Sequence, residues 1–253
     1  MTEASFLAVE SVSHGFRGLR VLRNVTFDVP RHRITGLIGP NGAGKSTLFN
    51  IISGFLTPDG GRLVYDGRDI TGWTVTQRSH AGLIRTFQTP RVFGHMTVRD
   101  NLTAAAYQTA TSGFVANLFA SPGSRRDAVR MREAAERAGE RFELTSVWDR
   151  PAGDLPAGRQ RLVELARAVV ASPRLVCLDE PSSGLNREEV ATLSSTLVRL
   201  EGEGTTILLV SHDMDLVRIA STVNVLCFGE IIARGPFGQI KADPRVREAY
   251  LGV

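Results

Sequence analysis

Residues 34–53 decide how the fold is read: Ile34-Thr35-Gly36-Leu37-Ile38-Gly39-Pro40-Asn41-Gly42-Ala43-Gly44-Lys45-Ser46-Thr47-Leu48-Phe49-Asn50-Ile51-Ile52-Ser53. A short apolar run stops at a glycine-rich turn. Apolar positions then recur with helical spacing from Leu48 to Ile52, and Gly54 is placed as a C-terminal cap. Strand, glycine-rich turn and helix are the setting of a phosphate-binding loop, and Gly39 to Ser46 matches its G-x-x-x-x-G-K-[ST] pattern. Glycines let backbone N–H groups curl around phosphates, and the helix N-terminus adds partial positive charge. Lys45 is expected to reach the β- and γ-phosphates and the Ser46 hydroxyl to ligate Mg²⁺. The segment predicts binding of ATP or GTP.

Before this loop, Phe6–Val12 and Val21–Val29 read as strands broken by Gly15, Gly18 and Pro30, and Leu63-Val64-Tyr65 with Asp66-Gly67 reads as a hairpin. After about Gln88 the pattern turns helical. Thr97 to Asp100 and Ser124 to Asp127 have the form of capping boxes, and Ala128–Phe142 is a long charged helix. The second half returns to alternating strands and helices. Leu175–Leu178, Thr206–Val210 and Val223–Phe228 are buried-strand runs, and Asn186 with Glu189 opens a helix. Such alternation implies a mainly parallel sheet with helices on both faces.

Leu175-Val176-Cys177-Leu178-Asp179-Glu180 is an apolar strand ending in two carboxylates. Downstream of a phosphate loop, Asp179 is expected to hold Mg²⁺ through water and Glu180 to polarise an attacking water. An ordinary strand running into an acidic turn is the plain alternative.

Composition fits a globular chain: 253 residues, 42% hydrophobic and 22% charged. The net charge of +4 is spread along the chain, with no basic run interleaved with aromatics, so a nucleic-acid partner is not expected. Cys177 and Cys227 lie in apolar stretches and read as buried thiols of a reducing compartment. The sequence shows no signal-peptide pattern at Met1–Ser5 and no apolar run near the ~18 residues of a spanning helix, so any membrane role is expected from the cytoplasmic face through partners. His14, His32, His80 and His95 lack metal-ligand spacing.

Taken with their order, these strings resemble the ATP-binding subunits of ABC transporters. Gly39-Pro40-Asn41-Gly42-Ala43-Gly44-Lys45-Ser46-Thr47 resembles the family's phosphate loop, and Leu155-Pro156-Ala157-Gly158-Arg159-Gln160 its Leu-Ser-Gly-Gly-Gln signature. Ser183-Gly184-Leu185-Asn186 is similar to the D-loop, Val210-Ser211-His212-Asp213 to the switch histidine and Arg85-Thr86-Phe87-Gln88 to the Q-loop. Phe16 falls where an aromatic stacks on adenine, although it also suits a core position. The ending Ala249-Tyr250-Leu251-Gly252, with Met96 to Leu102, resembles the branched-chain amino-acid import branch. Importers of urea, amides and aromatic acids, and in part the lipopolysaccharide-export ATPase, share these strings.

The resemblance implies a P-loop NTPase (RecA-like) α/β fold with an N-terminal antiparallel β subdomain. The catalytic core would comprise residues 1–88 and 151–253, with a helical insert over 89–150. It implies ATP and Mg²⁺ as ligands, with Ser46, Asp179 and Gln88 near the metal and Gln88, Glu180 and His212 serving hydrolysis. A second ATPase subunit paired head to tail, two permeases and an extracytoplasmic solute-binding protein are the implied partners. The signature acts on the partner's ATP. In this chain Pro156 replaces the usual Ser and Arg159 the Gln, so signature contacts are expected to rely on backbone groups. Phe114, Leu118 and Phe119 suit either the insert's core or a docking face. The alternatives are a soluble ABC-type ATPase acting on nucleic acid or ribosomes, or an export-type ATPase. The soluble kind usually fuses two cassettes or inserts a long coiled coil, and this chain has neither.

Overall fold

The computed structural model describes residues 5–86, 92–107 and 122–251. Gln88, Phe114, Leu118 and Phe119 lie outside these residues. In chain order the strands are β1 Ser5–Phe16, β2 Leu19–Pro30, β3 Ile34–Ile38, β4 Gly60–Tyr65, β5 Arg68–Asp69, β6 Leu83–Arg85, β7 Leu175–Asp179, β8 Thr206–Val210, β9 Thr222–Cys227 and β10 Glu230–Gly235. The helices are α1 Lys45–Ser53, α2 Val75–His80, α3 Val98–Ala106, α4 Pro122–Arg141, α5 Ala157–Val169, α6 Arg187–Gly202, α7 Met214–Val217, α8 Phe237–Ala242 and α9 Pro244–Leu251. The chain divides into two compact units.

The first unit comprises residues up to Arg85, Arg174–Ser182 and Leu197 onward. Its six-stranded sheet has the order β10-β9-β3-β8-β7-β6, parallel except for the β9–β10 pair. Strands β3, β7 and β8 are buried at every residue, which is why they read as unbroken apolar runs. A second, antiparallel sheet has the order β2-β1-β4-β5. Its inward residues Phe6 and Phe27 share one core with Leu48, Phe49, Ile51 and Ile52 of α1 and with Leu37, Cys177 and Leu208 of the large sheet. Helix α1 is therefore clamped between two sheets, and the loop that opens it is fixed from both sides.

Gly15 does not break β1. The strand runs on to Phe16, and the turn lies at Arg17-Gly18, both with positive φ (46° and 90°), as a two-residue hairpin requires. The Asp66-Gly67 hairpin and the Gly54 cap form as expected, the latter at φ 85° with its N–H on the Asn50 and Ile51 carbonyls.

The second unit spans Thr86–Pro173 and Ser183–Thr196. Within it α5 packs on α3 and α4. Thr97 caps α3, its hydroxyl accepting from the Asp100 N–H. Ser124 is not a cap: α4 already begins at Pro122. Buried Asn101 donates from its amide to the carbonyls of Phe93, Met96 and Thr97, tying the segment before α3 to the helix.

Candidate nucleotide site

Three parallel neighbours, β3, β8 and β7, end on the same edge of the large sheet, and the loops leaving those ends carry the expected chemistry. Ligands of open α/β sheets bind outside the carboxyl ends of such strands.

After β3, Gly39 turns beneath β9. A Cβ at that position would lie 2.0 Å from the Leu226 carbonyl oxygen, so only glycine lets the loop pass. The tip of the β9–β10 turn then donates from Gly229 N–H to the Ala43 carbonyl at 3.1 Å. Helix α1 starts at Lys45 with Gly44 as N-cap, no side-chain cap and no acidic residue in its first turn. Its first-turn N–H groups and partial positive charge are left for an external anion. The Lys45 ammonium bonds the Gly39 and Pro40 carbonyls at 2.6 and 3.0 Å. Burial lowers its pKa, while the charges of Glu180 and Asp179 oppose that shift. Lys45 and the two carboxylates therefore lie close enough to interact, and Ser46, the next residue of the helix, is exposed.

After β7, Asp179 accepts from the Arg85 guanidinium at 2.9 Å. Arg85 also donates to Asn50 and Ser53 of α1 at 2.7 and 2.8 Å, so it pins the acidic strand end to the helix of the phosphate loop. Sequence reasoning gave Arg85 no role. Its partners lie 32 to 94 positions away, and no local pattern marks them.

Glu180 follows in the left-handed region, φ 47°, a costly conformation for a residue with a side chain. Its N–H is held by the Val210 carbonyl at 2.9 Å, and its Oε2 accepts from the His212 backbone N–H at 3.2 Å. His212 Nδ1 lies 2.7 Å from the same oxygen. Thus β8 delivers His212 directly onto Glu180. The adjoining hydroxyls of Ser182 and Ser211 are 3.4 Å apart and buried. Phe16 stands 47% exposed at the tip of the β1–β2 hairpin, edge-on to His14 at 4.7 Å.

Tyr250 on α9 is a further residue that sequence reasoning left without a role. Burial pushes its phenol up to about 12 while an interaction with the Gly39 backbone pulls the other way, so the C-terminal helix reaches the base of the phosphate loop.

The residues expected to form the signature and the D-loop lie in the second unit. Pro156 is the N-cap of α5, with φ −54° and ψ 150°, and supplies no side-chain cap. It sits one position before the first turn, where its missing N–H removes no helical bond. Ala157 is exposed and Leu155 buried. Arg159 donates to the Glu143 carbonyl at 2.9 Å, and Gln160 to the carbonyls of Gly153 and Leu155 at 3.2 and 2.9 Å. Both long side chains are thus turned onto their own unit. Ser183 and Gly184 are exposed, Leu185 is half-buried, and Asn186 forms with Glu189 the expected capping box, 2.9 Å in each direction.

Residues 22–183 match the family model of the ABC transporter ATPases. The chain belongs to that family. As a member it is an ATP-hydrolysing cassette coupled to transport. Residues 230–253 of the cassette match a second model, described as the branched-chain amino acid ATP-binding cassette transporter. The cassette is 38% identical to the high-affinity branched-chain amino acid transport ATP-binding protein BraF of Pseudomonas aeruginosa, over 97% of each chain. It is 39% identical to the corresponding protein LivG of Escherichia coli, again over 97% of each. Among solved structures, a nucleotide-free cassette from an ABC transporter superposes with TM-score 0.85 at 32% identity, covering 99% of this chain and 100% of that one. A cassette in its ADP conformation gives the same values. Among the described residues of the present chain, no helix is long and apolar enough to cross a membrane.

Proposed function

We propose that this cassette powers import of branched-chain amino acids or a closely related small solute, working at the cytoplasmic face of the membrane. The observation that carries this reading is the match of its last strand and helices to the branched-chain model, joined to identity along almost the whole chain. Its partners are two permease subunits, a second cassette paired head to tail and, indirectly, an extracytoplasmic solute-binding protein.

In this reading Phe16 stacks on adenine, and residues 39–47 wrap the triphosphate. Lys45, now folded onto the Gly39 and Pro40 carbonyls, swings to the phosphates, which outbid two neutral acceptors. Ser46 and Asp179 offer the hard oxygen donors that Mg²⁺ takes, the Asp through water, with Gln88 assigned beside them. A Mg²⁺ held by these residues would supply charge neutralisation at the transferring phosphoryl group. Glu180 orients and polarises the attacking water. His212, held through Nδ1 by Glu180, fixes that carboxylate and presents its other ring nitrogen to the γ-phosphate. Leu155 to Gln160 and Ser183 to Asn186 act on the partner's ATP.

The test is reconstitution with the permeases and the charged binding protein. Hydrolysis should rise several-fold with leucine, isoleucine or valine on that protein. Stimulation by urea, amides or aromatic acids alone would reject the solute assignment.

A further inference from the structure

One contact ties together the two segments assigned to the partner's nucleotide. Gly158, in the first turn of α5, is buried against the side chain of Glu189. A Cβ at 158 would lie 2.3 Å from Glu189 Oε1 and 2.5 Å from its Cδ and Oε2, so the carboxylate rests on the glycine's Cα. The same carboxylate is anchored from the other side, with Oε2 accepting from the Asn186 N–H at 2.9 Å and the Glu189 N–H donating to Asn186 Oδ1 at 2.9 Å. One side chain thus bridges the start of the signature helix and the last residue of the Ser183–Asn186 turn.

The electrostatics make the contact more than packing. Helix α5 lacks both usual devices at its N-terminus: Pro156 has no capping side chain, and no acidic residue stands in the first turn. Negative charge is favoured beside a helix N-terminus. Glu189 delivers it there from a different helix. A flexible carboxylate would not hold a fixed place on a glycine, but this one has its rotamer set by the reciprocal cap.

We propose that Glu189 is a positioning residue for the signature: it holds the first turn of α5 in register with the Ser183–Asn186 turn, so that both meet the partner's ATP as one rigid surface. This offsets the hydroxyl cap that Pro156 cannot supply. It also gives a reason for glycine at 158 beyond approach to a nucleotide. The proposal rests on the reading that these segments act across a cassette pair.

The experiment uses the full chain assembled with its membrane partners, comparing Glu189→Ala, Glu189→Gln and, as a control, Gly158→Asp. Glu189→Ala is expected to lower kcat for ATP about 10-fold or more, as loss of alignment does, with KM little changed. Glu189→Gln, whose amide oxygen still accepts from Asn186 but which brings no charge to the helix N-terminus, should fall between Glu189→Ala and the wild type. Neither change should alter the affinity of the isolated chain for ATP, which its own phosphate loop holds. A wild-type kcat in Glu189→Ala beside an inactive Gly158→Asp would overturn the proposal alone. So would a Gln variant as inactive as Ala, or an equal loss of ATP affinity in the isolated chain. Normal turnover in Gly158→Asp would reject the signature reading itself, and the proposal with it.

Discussion

Replacing Arg85 by methionine keeps the length of the side chain and removes its charge. Arg85 and Asp179 are 10% and 12% exposed, so their ion pair is close to fully desolvated. The substitution also strips hydrogen bonds from Asn50 and Ser53 and removes a guanidinium lying 5.3 Å from the Phe49 ring centroid. Breaking one side of a buried pair costs about 3–5 kcal/mol, because the remaining charge loses its compensation. The methionine recovers part of the packing on Phe49, so a net loss of about 3 kcal/mol is expected. With a urea slope of about 3 kcal/mol/M, the unfolding midpoint should fall by about 1 M. The assay is urea denaturation followed by circular dichroism, run on both the wild-type and the Asp179→Asn backgrounds. With the carboxylate charge removed, Arg85→Met should cost about 2 kcal/mol less, and the difference is the coupling energy of the pair. A loss under about 1 kcal/mol, or the same loss in both backgrounds, would refute the account in which Arg85 neutralises Asp179 and locks it to α1.

Two further outcomes follow from buried groups elsewhere in the first unit. Arg78 is 1% exposed and donates to the carbonyls of Ile51, Ile52, Ile70, Thr71 and Trp73, with burial pushing its pKa down to about 10. Arg78→Met strands these acceptors beneath the C-terminus of α1 and should cost about 3 kcal/mol or more in the same denaturation assay. Cys177 is wholly buried, its thiol pushed up to about 12. At pH 8 a maleimide should leave it unlabelled in the folded chain and modify it at once in denaturant, since only the exposed thiolate reacts.

The parts legible in the sequence were those specified locally. The strand–glycine–helix setting of residues 34–53, the Gly54 cap and the Asn186–Glu189 box each need only neighbouring residues, and each formed as read. Gly15 misled because a glycine tolerates both a break and a continued strand, and what settled the matter was the pair of positive-φ residues two positions later. Ser124 misled because Pro122, a residue suited to the first turn of a helix, starts α4 two positions earlier. The Thr74–Gln77 capping box that opens α2 is equally local, a Thr with Gln three positions on. Arg85, Arg78 and Tyr250 were not readable, because their roles come from partners across the sheet or the chain. In the site the motif residues and their order were plain. The direct bond from His212 to Glu180 and the Glu189 carboxylate on Gly158 appear only once strands and helices are packed.

The central claim is that Glu180, at the end of β7 and bound to His212, steers the water that cleaves ATP held by the phosphate loop. It is tested most directly by phosphate release from the assembled transporter carrying Glu180→Gln, with ATP affinity measured on the same protein. The account predicts that phosphate release falls about 100-fold or more while ATP still binds as in the wild type. Wild-type release by the glutamine variant would contradict it.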